Sequence, residues 1–353
     1  MRIDAAIVNA AREPFSVEAL DLEEPRDDEV FVQVIAAGMS RVDLLARDGD
    51  IPVPLPAVLG CEGVGRVERI GAKVMGVAPL DRVVFARPGG GPDLFGRRIS
   101  RYREAEFAPL HRSGRPIAGS AFGHCCFATH VLTAERNLIR VPQDDTPFPV
   151  LAALGGDVQV GAGAVIDTLR PRPGSSIAIF GAGAAGLAAV LAARLASCHP
   201  IIAVDIKASR LDMAEQLGAD RTIDPDGLDP VVAIRGMAPG GVQFAVDTTG
   251  DPSLIGQALE CIASGGRCVL AGAGPLDAEV AVKFRLLLQP RTLIGNPSGA
   301  RDPAEFVPRL LGLYRQDRFP IDRLITEFRF ADINTAADAL LSGAAIKPVL
   351  VMP

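Results

Sequence analysis

Residues 176–195 read SIAIFGAGAAGLAAVLAARL, and their reading decides the fold. A short apolar run, Ile177 to Phe180, leads into a glycine turn, and an Ala- and Leu-rich run leaves it. Gly181, Gly183 and Gly186 stand in G-x-G-x-x-G spacing. In that pattern the first glycine makes the turn, the second lets the backbone approach a pyrophosphate, and the third lets helix pack on strand. The helix N-terminus then points its free N–H groups at the phosphates. A lone pattern of this kind is weak. Here a strand precedes it, a helix follows it, and Asp205 ends the next apolar run, IIAVD.

An acid at that place hydrogen-bonds both ribose hydroxyls and repels a 2′-phosphate, which favours NAD(H) over NADP(H). Arg210, on the next helix, either reaches the adenosine ribose or is an ordinary solvated arginine. Working outward, PIIAVDI, ASRLDMAEQLGADRTID, VQFAVDTTG, SLIGQALECIASGGRCVLAGAG and RTLIG continue an alternation of strand and helix. That alternation predicts βαβ units and a doubly wound parallel sheet, the Rossmann domain of an α/β protein, over residues 153–296. VLAALGGDVQVGAGAVID, just before it, reads as one helix.

The first 150 residues have a different texture. AAIVNA, EVFVQVIAAG, GVGRVERIG, DRVVFA and FATHVLT are short, β-rich and bounded by turn residues. Residues 88–120 are Gly-, Pro- and Arg-rich with little periodicity, and read as a long loop or lobe. After residue 297 come two helical stretches and a last strand, IKPVLVM. A β-rich domain is therefore expected from 1–152 together with 297–353.

The chain has 353 residues, 48% of them hydrophobic, which is enough for two domains with sizeable cores. Its formal net charge of −6 argues against a nucleic-acid partner. No apolar run reaches the length of a membrane span, and MRIDAAIVNAAREPF lacks the order of a signal peptide. Six scattered cysteines with no CxxC pair read as reduced thiols in a cytoplasmic protein.

With LGCEGVGRVERIGAKV added to the β-rich half, the Rossmann domain and the returning tail, the chain resembles the medium-chain dehydrogenase/reductase superfamily. The likeness is greatest to its aryl (benzyl) and allylic alcohol dehydrogenases, and extends over nearly the whole length. EEPRDDEVFVQVIAAGMSRVDLLARDG, FATHVLTAERNLIRVP, VQVGAGAVID and PRLLGLYRQDRFP also fit the pattern. The resemblance implies a GroES-like catalytic domain, a nicotinamide cofactor, a small conjugated or aromatic alcohol or carbonyl as substrate, and a homodimer or homotetramer.

It also implies a catalytic zinc, held by a Cys in G-x-C-x-x-D, a His in G-H-E and a later Cys. At the matching positions this chain has Ser40 in GMSRVD, Cys61 in GCEG and Gly156 in LGGDVQ. The four-cysteine lobe expected within residues 88–120 contains no cysteine, and the usual hydroxyl of the proton relay is Val42. A zinc-free member is the reading these coordinated departures support. A residual site on Cys61, Glu62 and Asp157 would need ligands outside the family geometry.

Zinc in such enzymes acts as a Lewis acid. Bringing the pKa of a bound hydroxyl down to near neutrality is worth about 12 kcal/mol. Without it, either the substrate is already activated, as in 1,4-reduction of an enone or enal, or protein donors polarise the oxygen. Ser40 and Cys61 are expected to face the vacated spot, and Asp157 either serves as a general acid or caps a helix. Cys61 reads as a packing thiol lining the pocket rather than a nucleophile. Glu62 and Asp43 recur in the family as supporting acids and are not expected to be catalytic. Arg41 matches a position that can reach the cofactor pyrophosphate or lie on the surface. Arg87, where relatives place an apolar pocket wall, would favour an acidic substrate oxygen. His124 and His130, in FGHCCFATH, either lie near the cleft or are structural, the commoner case for a lone histidine. A non-catalytic nicotinamide-binding protein is the competing class.

Overall fold

The computed structural model describes residues 1–86, 108–119, 124–296 and 298–353, which fall into two compact units. One comprises Met1–Gly156, Asp302–Gly312 and Ile321–Pro353; the other comprises Asp157–Arg301 and Leu313–Pro320.

The second unit holds a six-stranded, wholly parallel sheet. Its order is Arg221–Ile223, Ile201–Val204, Ile177–Phe180, Val242–Asp247, Ile262–Leu270, Thr292–Gly295. Chain order thus reverses direction between Ile177–Phe180 and Val242–Asp247, and at such a switch point the strand ends leave a crevice for a ligand. Ile177–Phe180 and Ile201–Val204 are buried along their whole length, as central strands covered on both faces must be. The helix Ala184–Leu195 is buried from Gly186 to Ala193. Its alanines let it lie close to its neighbours: a Cβ on Gly161 of the helix Asp157–Gly163 would overlap the Ala185 carbonyl.

In the first unit, Arg2–Val8, Ser16–Leu22, Leu110–Arg112, Arg115–Gly119 and Ala57–Val58 close into a barrel. A seven-stranded sheet runs Leu138–Val141, Arg82–Phe85, Glu62–Ile70, Glu29–Gly38, Lys347–Val351, Ile325–Arg329, and His130–Ala134 also pairs with Glu29–Gly38. The last strand of the chain therefore lies beside one of the first. That register brings the ends of Glu62–Ile70 and Lys347–Val351 to either side of Gly38, which pairs with Glu62 on one edge and with Val349 on the other.

The single helix expected over VLAALGGDVQVGAGAVID is three pieces: Phe148–Leu154, Asp157–Gly163 and a π-helical stretch, Ala164–Leu169. The break falls at Gly155, where a Cβ would overlap the Phe85 carbonyl oxygen. Close backbone approach, not helix periodicity, decides the local structure there.

Candidate active site

The glycine turn of the second unit is built as its spacing requires. Gly181 has φ +90°, a left-handed conformation that costs a side chain strain, and a Cβ there would stand 2.6 Å from Thr248 Oγ1. The Thr248 hydroxyl donates to the carbonyl oxygens of Phe180 and Gly181, both at 3.1 Å. A Cβ on Gly186 would overlap the Gly181 carbonyl, so helix and strand touch through bare backbone. Gly183 differs from both. A Cβ there meets no protein atom within 4 Å, and its φ of −74° suits any residue. Gly183 is also the N-cap of Ala184–Leu195, with no side-chain cap among the described residues, so the first N–H groups of that helix face outward for an anion.

Asp205 is buried and ties the turn together. Oδ2 accepts from the Ala182 N–H at 2.6 Å and Oδ1 from the Lys207 N–H at 2.8 Å, with Arg210 Nη1 3.9 Å from Oδ2. Each carboxylate oxygen retains lone pairs for a ribose hydroxyl. These residues fit a dinucleotide. Asp247, unremarked in the sequence, shapes the facing loop. It accepts from Thr249 Oγ1 at 2.6 Å and from the Gly250 N–H at 3.0 Å, and burial raises its carboxyl above the usual range.

In the first unit, Ser40 and Cys61 do come together. Ser40 Oγ lies 3.6 Å from Cys61 Sγ, and Cys61 Sγ donates to Asp43 Oδ2 at 3.6 Å. Ser40 is also the N-cap of the helix Arg41–Asp48: its Oγ accepts from the Val42 N–H at 3.2 Å, while Asp43 Oδ2 accepts from the Ser40 N–H at 3.0 Å. This reciprocal capping box was readable as S-x-x-D in GMSRVD. Cys126 packs nearby, and burial pushes its thiol well above the ordinary range, which keeps it inert.

The principal feature that sequence reasoning missed is Lys347. Its ammonium pairs with Glu62 Oε1 and donates to the Met39 carbonyl at 3.2 Å, and both side chains of the pair are wholly buried. Burial lowers the Lys347 ammonium to about 8, against the opposing pull of Cys61 and Asp43. Two glycines make room for the Glu62 carboxylate. A Cβ on Gly38 would stand 2.6 Å from Oε1, and one on Gly156 would overlap Oε2. The place towards which a third metal ligand would project from position 156 is thus filled by a carboxylate whose charge is already matched by an ammonium. Ser40, Cys61 and Gly156 do not fit a zinc ion of the three-ligand kind, and among the described residues no group of three or more His, Cys, Asp or Glu side chains is placed to hold a metal.

Asp157 is the half-buried first residue of the second unit, opening the helix Asp157–Gly163. Arg41 is exposed on the first turn of Arg41–Asp48. Arg87 lies outside the described residues, as does most of the 88–120 segment. His124 donates Nε2–H to the Ala86 carbonyl at 3.3 Å and stacks edge-on against Phe85; His130 sits beside Thr129 and Glu68. No disulfide joins the six buried cysteines.

Comparison with known proteins agrees with this architecture. Residues 26–143 match the alcohol dehydrogenase GroES-like domain, and residues 184–313 match the zinc-binding dehydrogenase domain. The chain is 38% identical to geraniol dehydrogenase of Castellaniella defragrans, over 98% of this chain and 97% of that one. It superposes on an alcohol dehydrogenase zinc-binding domain protein from Burkholderia ambifaria with a TM-score of 0.93 at 38% identity, over 100% and 99% of the two chains. Benzyl alcohol dehydrogenase from Acinetobacter calcoaceticus gives 0.91 at 36% identity, over 100% of both.

Proposed function

The chain belongs to the medium-chain dehydrogenase/reductase family, and we propose that within it this protein is a zinc-independent, NAD(H)-dependent oxidoreductase for conjugated alcohols and carbonyls, aryl or allylic. The observation that carries this reading is the Glu62 carboxylate, paired with Lys347 and seated where the side chain at 156 would project. The likeness to geraniol and benzyl alcohol dehydrogenases supports an allylic or benzylic substrate.

The nicotinamide, when bound, supplies hydride exchange. This chain's residues do the rest. Gly183 and the helix behind it take the pyrophosphate, Asp205 takes the adenosine ribose with Arg210 at its side, and Arg41 is offered to the same cofactor. Ser40 and Cys61 present a hydroxyl and a thiol to the substrate oxygen, and Asp157 is the acid that begins the adjoining helix. Arg87 would draw an acidic substrate oxygen.

The test is turnover of geraniol, benzyl alcohol and their aldehydes, with an enone alongside, comparing NAD(H) with NADP(H). Wild type is expected to prefer NAD(H). Asp205→Ala removes a charged acceptor worth about 1.5–3 kcal/mol, so NADH affinity should fall roughly 10- to 150-fold. NADPH affinity should hold or rise, since Arg210 is released. A wild type that binds NADPH more tightly than NADH would refute the cofactor assignment.

A further inference from the structure

Asp247 is a wholly buried acid with no cation bonded to it among the described residues. It ends the strand Val242–Asp247 in register with Phe180, so it stands at the switch point, one strand across from the glycine turn. Oδ1 accepts from the Thr249 hydroxyl at 2.6 Å and the Thr249 N–H at 3.3 Å, and Oδ2 from the Gly250 N–H at 3.0 Å. All three donors are neutral, and the charged group that acts on the carboxyl, Asp251, has the same sign. A neutral asparagine closes such a turn as well, and burying an unpaired charge is costly, so the charge itself calls for an explanation. The backbone beneath it is fixed. The Asp247 carbonyl accepts from the N–H groups of Ala271 and Gly272 at 2.8 and 3.0 Å, and a Cβ on Gly272 or Gly274 would overlap the Gly250 backbone.

Asp205 draws the adenosine half of a dinucleotide over Ile201–Val204, on one side of the glycine turn. The nicotinamide half then extends to the other side, over the ends of Val242–Asp247 and Ile262–Leu270. Neighbouring strands are about 4.8 Å apart, which sets a ring there within about 10 Å of Asp247. That ring is cationic in the oxidised cofactor and neutral in the reduced one. We propose that Asp247 is a specificity-determining residue for the oxidation state of the cofactor, its fixed negative charge favouring NAD+ over NADH without touching either. At an effective dielectric constant of about 20, a unit charge about 10 Å away changes affinity for a cation roughly tenfold. Burial in the second unit keeps salt from screening it fully. The inference rests on the NAD(H) assignment made above. Its consequence is that bound NAD+ is a weaker oxidant than free NAD+, and that NADH is the form released more readily.

The experiment is calorimetric titration with NAD+ and with NADH, with thermal unfolding measured on the same samples. Asp247→Asn removes the charge at nearly constant shape, and Asp247→Ser removes it with a smaller group. In each folded variant the ratio of the NAD+ to the NADH dissociation constant should rise roughly tenfold over wild type. Thr249→Val is the control for shape. It breaks the hydroxyl bond to Oδ1 but keeps the charge, so both affinities can fall while their ratio stays within about twofold of wild type. A wild type that bound neither nucleotide would sink the cofactor assignment and this inference with it. A wild type that bound both, with the ratio unmoved in either folded Asp247 variant or moved equally by Thr249→Val, would sink the charge selection alone.

Discussion

Gly186→Val is expected to abolish measurable NADH binding, raising the dissociation constant by roughly 100-fold or more. The reason is steric and local. A Cβ at 186 overlaps the Gly181 carbonyl oxygen, which is backbone and has nowhere to rotate, so the helix Ala184–Leu195 must move off the strand Ile177–Phe180. Overpacking of this kind costs about 1–3 kcal/mol, and every 1.4 kcal/mol is tenfold in affinity. The displaced helix also takes its N-terminal N–H groups away from the pyrophosphate. Gly183→Ala makes the complementary case. Its methyl meets no protein atom and its φ is ordinary, so the variant should fold as stably as wild type. It should nonetheless lose affinity, because the methyl stands where the dinucleotide approaches. Titration of NADH fluorescence, with thermal unfolding alongside, separates the two effects. A Gly183→Ala variant that bound NADH like wild type would contradict the placement of the cofactor.

Lys347→Met should be the most destabilising single change outside the glycine turn. It strands the Glu62 carboxylate in a fully buried site and leaves the Met39 carbonyl without its donor. Removing one partner of a buried pair costs about 3–5 kcal/mol, because the remaining charge is uncompensated. Replacing both members restores neutrality, so Glu62→Gln in the Lys347→Met background should recover most of the loss. The coupling between the two sites is the quantity of interest. Denaturant unfolding of the four proteins in the cycle measures it. If Lys347→Met lost less than about 1 kcal/mol, the pair would not be the organising charge of this unit.

How much of this was legible in the sequence depends on the range of the interaction. Gly181, Gly183, Gly186 and Asp205 announce themselves because a local turn, a helix start and a strand end all constrain the same 25 or so residues. The resemblance that sets Ser40, Cys61 and Gly156 against the metal-ligand positions of the family rests on motifs that are equally local. What those positions do instead was not legible. Glu62 and Lys347 are 285 residues apart, and each alone looks like an ordinary charged residue in a strand. A lysine inside the apolar run IKPVLVM is the one trace the pair leaves. Ser40 was read as a pocket donor when its S-x-x-D spacing also makes it a helix cap. The break at Gly155 escaped for a different reason. Gly155, Gly156 and Asp157 do interrupt the apolar run, but a glycine pair inside a helical pattern is a weak sign of a break, and the Phe85 carbonyl packed against Gly155 lies 70 residues away in the chain.

The central claim is that this enzyme works without zinc, and metal analysis coupled to activity tests it most directly. Protein purified with zinc in the medium should carry well under one zinc per chain by elemental analysis. Exhaustive chelation should leave its NAD+-dependent oxidation of geraniol or benzyl alcohol, and its unfolding transition, unchanged. One zinc per chain, with activity lost on chelation and restored by adding zinc back, would contradict the account at its root.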